Sequence, residues 1–335
     1  MTRTLLLLPA LSLIACGGDD AAKDSGTETE SCTITVTTTP APNSDEAYYR
    51  GNIEFRLSAP DETATITTDI PGTKIVSADG KTISWDPTDA LAPNTAYSAT
   101  LNYCGGDVEL NFTTSALGTA VADAASLEGN VYALALADAR IVEPAGVGAV
   151  LSTVLTQVIL VGVDSVGTDS IAMIGAVAKD RATTQDFCNP SIPFPAADFT
   201  NPYFELPQQD LTLNVMDQSI TIQALEITGT FADDGSAFGG GTLRGNIDTR
   251  PFAALVNPEN PTDSAVCDFA AGLGIECEPC ADGQPYCLTI VADQITAEKT
   301  GGPALVPLNE ECDATACVNY TADSFTGVTA GECPA

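Results

Sequence analysis

Short stretches in which apolar and polar residues alternate, closed off by turn residues, constrain this chain more than any other feature. Ile53, Phe55 and Leu57 alternate with Asn52, Glu54 and Arg56, and Ile34 and Val36 alternate with threonines. Successive side chains of a strand point to opposite faces, so each stretch reads as a strand with one apolar and one wet side. Asp79-Gly80 leads into Lys81-Thr82-Ile83-Ser84-Trp85, which places Ile83 and the only tryptophan on one side. Tyr97, Ala99, Leu101 and Tyr103 share a face, and Gly105-Gly106 supplies a turn before Val108, Leu110 and Phe112. Half-buried strands at this spacing predict an antiparallel sandwich over residues 32–115.

The remaining residues, 116–335, are expected to form a second, disulfide-rich domain of β-dominated α+β type. Gly129 to Val142 reads as a long strand that ends at Glu143-Pro144. Ile171 to Val177, Leu211 to Val215 and Cys287 to Ala297 read as further strands. Ile220, Ile222, Leu225 and Ile227 lead to Phe231, with Asp233-Asp234-Gly235 as a hairpin turn. The run Gly239-Gly240-Gly241 opens the return strand as a twisted hairpin or bulge. Its other reading, a phosphate loop, lacks the Walker lysine. Short helices are expected from Pro251 to Val256 and from Thr262 to Ala271, the second stopped by Gly272. Ala145 to Val163 carries no charge over nineteen residues. A membrane span is one reading of it; a buried helix over 145–156 feeding a buried strand over 157–163 is preferred.

Eleven cysteines add a covalent constraint. Cys16 stands apart near the amino terminus, which leaves Cys32, Cys104, Cys188, Cys267, Cys277, Cys280, Cys287, Cys312, Cys317 and Cys333. An even set in an exported chain reads as a disulfide framework. Cys32, where the first strand begins, and Cys104, near the last hairpin of the sandwich, are the expected pair there; the other pairings are left open. Cys277-Glu278-Pro279-Cys280 with Cys287 has an alternative as a thiolate metal cluster, and Cys277 with Cys280 another as a redox pair.

Export is written in the first residues. Arg3 precedes Leu5 to Ala15, an uncharged apolar stretch too short to span a bilayer comfortably, as in a secretory signal peptide. It ends in Leu13-Ile14-Ala15-Cys16-Gly17, and here the sequence resembles bacterial lipoproteins. The resemblance implies removal of residues 1–15, a diacylglycerol on the Cys16 sulfur, and anchoring in the cell envelope. Gly17 rather than Asp after it implies sorting to the outer membrane. Residues 16–31 are acidic, without apolar periodicity, and read as a flexible tether.

A second resemblance lies in Asp79-Gly80-Lys81-Thr82-Ile83-Ser84-Trp85-Asp86-Pro87, Leu91-Ala92-Pro93-Asn94-Thr95-Ala96-Tyr97 and Phe112-Thr113-Thr114. In this order they resemble the bacterial Ig-like domain of the SbsA type. That implies a spacer or adhesion module without catalytic residues, although most such domains lack a cysteine pair.

Charge and composition limit the chemistry. Lys and Arg number 12 against 45 Asp and Glu, a net charge of −33, which repels phosphate backbones and argues against nucleic acid as a partner. The absence of histidine removes His-based triads and His-containing zinc sites. Asp233-Asp234 and Glu310-Glu311-Cys312-Asp313 are weak calcium candidates without EF-hand spacing. A carboxylate pair cleaving glycosides is a remote third reading in a chain with 6% aromatics. No catalytic residue, cofactor or metal ligand is assigned. The expected function is a non-enzymatic, lipid-anchored envelope protein, its Ig-like spacer presenting a carboxy-terminal domain to an envelope or extracellular protein. The alternative is a carrier of a hydrophobic ligand or lipid in that second domain.

Overall fold

A computed structural model describes residues 32–134, 139–144, 158–179, 184–186, 189–215 and 218–308. Its first part holds β1 (Val36–Thr39), β2 (Ile53–Leu57), β3 (Thr65–Thr67), β4 (Gly72–Val76), β5 (Thr82–Pro87), β6 (Ala96–Tyr103) and β7 (Gly106–Thr113). They form two antiparallel sheets, β1-β2-β5-β4 and β3-β6-β7. The alternation read from the sequence decides which side chains go inside. Ile53, Phe55 and Leu57 of β2 are buried, as are Ala99 and Leu101 of β6 and Leu110 and Phe112 of β7. The two sheets contribute to one apolar cluster, which includes Phe55 and Ile83, paired on neighbouring strands of the first sheet, and Leu101 and Leu110 of the second. Trp85 lies at its margin and donates from its indole nitrogen to the Ile70 carbonyl at 3.0 Å.

The second part contains β8 (Val131–Leu134), β9 (Arg140–Glu143), β10 (Ile159–Val166), β11 (Ser170–Val177), β12 (Ile192–Pro193), β13 (Ala197–Thr200), β14 (Tyr203–Val215), β15 (Gln218–Phe231), β16 (Ala237–Asp248) and β17 (Cys287–Lys299). Eight of these close into an antiparallel barrel in the order β10-β8-β17-β16-β15-β14-β13-β11, and β11 pairs back onto β10. Closure is what the expectation of an α+β domain lacked. The sheet buries its main apolar face by wrapping around itself, while Val131, Leu160, Ala176 and Ala178 form a second, smaller buried cluster. Among the described residues, helix is confined to a few short segments, including α1 (Ala253–Val256) and α2 (Ala265–Ala271), and Gly272 caps the latter as expected.

Other expectations differ in detail. The long strand foreseen over 129–142 is described as two segments, β8 and β9, both paired with β17, and residues 135–138 lie outside the described residues. The buried strand over 157–163 is found as part of β10, with Leu160, Val161 and Val163 buried. The helix over 145–156 lies outside the described residues, and no helix among those described is long and apolar enough to cross a membrane. Residues 232–236 turn the β15–β16 hairpin at Asp233-Asp234-Gly235, Gly235 taking φ +68.

Candidate functional site

The described residues from Ile34 onward belong to one compact unit. Its two halves meet through side chains with no strand periodicity. Tyr48, Tyr49 and Arg50 precede β2 and reach the barrel wall. The Tyr48 and Tyr49 hydroxyls lie 2.9 and 3.4 Å from Thr230 Oγ1, and Thr230 is fully buried. Arg50 donates from Nε to the Tyr49 hydroxyl at 3.2 Å, and its guanidinium sits 3.9 Å above the Tyr203 ring centre. Burial pushes the Tyr48 phenol above its ordinary range; Tyr203 is pushed up to about 12 by burial and by neighbouring Glu205. Both phenols are therefore neutral at physiological pH and act as hydrogen-bonding groups within an apolar seam.

The three-glycine run is the other half of this seam. The β16 register slips against both neighbours there, as a bulge requires. Gly240 takes φ +60, and a Cβ on it would fall 2.1 Å from Cε2 of Tyr48. Gly239 similarly receives Leu117 from the junction that follows β7. The run lets a tyrosine ring lie directly on barrel backbone. The bulge reading of the sequence holds, and its purpose is packing.

Inside the barrel, the end nearer the seam is filled by rings. Phe231 is fully buried, its ring centre 5.2 Å from that of Phe204, 5.5 Å from Tyr132 and 5.9 Å from Phe238. Tyr132 donates to the Gly235 carbonyl at 3.0 Å, and its phenol is raised by burial. Beyond the rings lies a cavity of about 60 Å³ whose lining is entirely apolar, Leu134, Met173, Leu225 and Ile295 among it. The side chains of that lining neither accept nor donate a proton, so this cavity excludes water and can hold apolar matter.

At the opposite end, residues 249–286 form a cap over the return from β16 to β17. Thr249 donates through both its backbone N–H and its hydroxyl to the Tyr286 carbonyl. Arg250 binds Asp248 and, at 2.8 Å, Asp282; its guanidinium beside Asp248 holds that carboxyl below the usual carboxylate range. Disulfides Cys267–Cys277 and Cys280–Cys287 staple α2 and the following loop to the start of β17. Cys277 and Cys280 are thus each bonded elsewhere, which sets aside both the metal-cluster and redox-pair readings of their spacing.

The remaining sequence candidates fall as follows. Cys32 and Cys104 are each disulfide-bonded. Cys16, Cys188, Cys312, Cys317 and Cys333 lie outside the described residues, as do Glu310, Glu311 and Asp313. Asp234 turns inward on its own hairpin, accepting from the Ser236 N–H at 2.9 Å, and Ser236 holds its carboxyl below the usual range. Among the described residues no group of three or more His, Cys, Asp or Glu side chains converges on a point. Reading the sequence missed Tyr48, Tyr49, Arg50, Tyr203 and Thr230. The signal available was the Tyr-Tyr-Arg cluster outside any alternating stretch.

Comparison with family models, with curated proteins and with solved structures finds no match to this chain. The geometry by itself defines a class: a two-sheet β module seated on a closed eight-stranded antiparallel barrel with a disulfide-stapled cap.

Proposed function

We propose that this chain is a non-enzymatic, lipid-anchored protein of the bacterial cell envelope, sorted to the outer membrane. Its first module acts as an Ig-like spacer of the SbsA type, and the barrel and its cap are the presented part. The observation that carries this reading is the seam. A spacer needs a fixed angle to what it presents, and Tyr48 on Gly240, the Thr230 hydrogen bonds and Arg50 on Tyr203 supply one. The Leu13-Ile14-Ala15-Cys16 motif supports attachment, because two or three acyl chains each add about 0.8 kcal/mol per buried methylene. The Cys32–Cys104 pairing belongs to the same reading, since a cross-link there would stiffen the spacer against extension.

The barrel interior favours presentation over carriage. Pockets for drug-sized ligands run to roughly 300–1,000 Å³, and the cavity here is about 60 Å³. An acyl chain would enter only if the barrel wall moved. The wholly apolar lining nonetheless makes carriage of a smaller hydrophobic molecule the second reading.

Expression in a Gram-negative host tests the anchor. The mature chain should begin at Cys16 with the mass of a diacylglycerol and an acyl chain added, and should partition into a detergent phase. The Cys16→Ala variant should move to the aqueous phase; a variant that stays in detergent refutes the anchoring.

A further inference from the structure

The cap is held by two disulfides and the Arg250 ion pairs, yet it exposes large apolar side chains. Phe269 is 53% and Leu273 56% exposed, the highest values among the large apolar residues of the described chain, and Val256 on neighbouring α1 is 41% exposed. The backbone explains the first two. Ala265 and Ala270 face inward from α2, and Gly272 keeps helical angles (φ −62, ψ −19), so Leu273 follows Phe269 by one turn on the same side. The inward positions of this helix are taken by alanine, and the larger apolar side chains face outward. The two disulfides and the Arg250 clamp hold this surface in one shape before anything binds, which lowers the ordering cost of association.

Apart from Arg250, which pairs with Asp248 and Asp282, the cap's charges are of one sign. From Pro251 to Tyr286 the sequence has six acidic residues, Glu259, Asp263, Asp268, Glu276, Glu278 and Asp282, and no lysine or arginine. Asp282 is bridged to Arg250; the other five have no cationic partner among the described residues. An apolar knob on an acidic cap repels a second copy of itself and repels anionic lipid headgroups.

We infer that the α1–α2 cap, through Phe269 and Leu273, is a docking surface for a protein partner bearing an apolar pocket rimmed by lysine or arginine. This rests on the presenting role proposed above and specifies the partner's chemistry. The apolar pair supplies affinity and the carboxylates supply orientation and rate of encounter.

The test uses the full-length mature protein and a fluorescein-labelled amphipathic helical peptide of leucine and lysine as probe, with binding read by fluorescence anisotropy at low salt. Wild type should bind it. Phe269→Ser with Leu273→Ser should weaken binding by about tenfold, and Glu259→Lys with Glu276→Lys should weaken it as well. Both variants alter exposed side chains, and unchanged circular dichroism checks their fold. A peptide of serine and lysine should bind no better than the double serine variant binds the first probe. The inference is overturned by equal binding of wild type and the double serine variant, or by no binding at all. It is also overturned if sedimentation shows a dimer of wild type that the double serine variant abolishes, because the occupant is then a second copy. None of these outcomes alters the detergent partitioning that tests the Cys16 anchor.

Discussion

Replacing Gly240 by alanine probes the seam directly. The new methyl group would lie 2.1 Å from Cε2, 2.3 Å from Cδ2 and 2.5 Å from Cζ of Tyr48, far inside van der Waals contact. The ring must swing away, because Gly240 is fixed in the bulge. Three losses then add. A side chain at φ +60 costs about 1 kcal/mol. Losing the 2.9 Å bond from Tyr48 to Thr230 costs about 1 kcal/mol. Withdrawing the ring from the barrel wall costs about another 1 kcal/mol of apolar burial. The expected destabilisation is about 3 kcal/mol, of which the last two parts, about 2 kcal/mol, depend on Tyr48 being present. Urea unfolding can follow both halves, since Trp85 reports the first module and near-ultraviolet circular dichroism the ring cluster of the barrel. In the Tyr48→Ala background, Gly240→Ala should cost only about 1 kcal/mol, the backbone part. Equal costs in the two backgrounds would mean that the ring and the glycine do not act on one another, and the seam as described would be wrong.

Two further substitutions test the barrel and its cap. Phe231→Ala removes the ring that Tyr132, Phe199, Phe204 and Phe238 all contact and should cost about 4 kcal/mol in urea unfolding; a loss under about 1 kcal/mol would show that the cluster collapses into the space. Asp248→Asn should cost about 1 kcal/mol at neutral pH, as expected for a partly exposed ion pair. Because Arg250 depresses the Asp248 carboxyl in the folded state, the stabilisation is present above the unfolded-state carboxylate pKa and is lost as pH falls through the lower folded value. The stability gap between wild type and Asp248→Asn should therefore close on acidification; a gap that persists in strong acid would contradict the pairing.

Local periodicity made the individual strands readable, and their association was not. The alternation in β2 and β6 foretold which side chains would be buried because a strand with one wet face has no other solution. The β15–β16 hairpin was equally legible from Asp233-Asp234-Gly235, whose turn chemistry is local. Barrel closure depends on β10 pairing with both β8 and β11 and on β17 pairing with β8. The β10–β11 pairing is a local hairpin, but β8 with β10 and β17 with β8 join residues far apart in the chain, and no residue pattern within one strand records such a neighbour. The seam was hidden for a different reason. Tyr48 and Tyr49 sit in an irregular segment, where apolar residues carry no period to decode, and Gly240 looks the same whether its missing side chain serves a bulge, a phosphate or a ring. The cysteines announced disulfides, but the near spacing of Cys277 and Cys280 concealed that each bonds elsewhere.

Closing a sheet into a ring also decides where it would part. An open sheet peels from its edge one hydrogen-bonded pair at a time, whereas a ring must first lose a whole ladder. The ladders around this barrel are unequal: β14 and β15 zip along nearly their full length, while β11 meets β13 only at Ser170 with Asp198 and Ile171 with Ala197. The adjoining β12 adds two pairs, Ile174 with Pro193 and Gly175 with Ile192, before the strand line breaks at residues 194–196. Swelling of the wall to admit anything larger than the present void would begin along that interrupted line, and hydrogen exchange would register it first at Ile171 and Gly175.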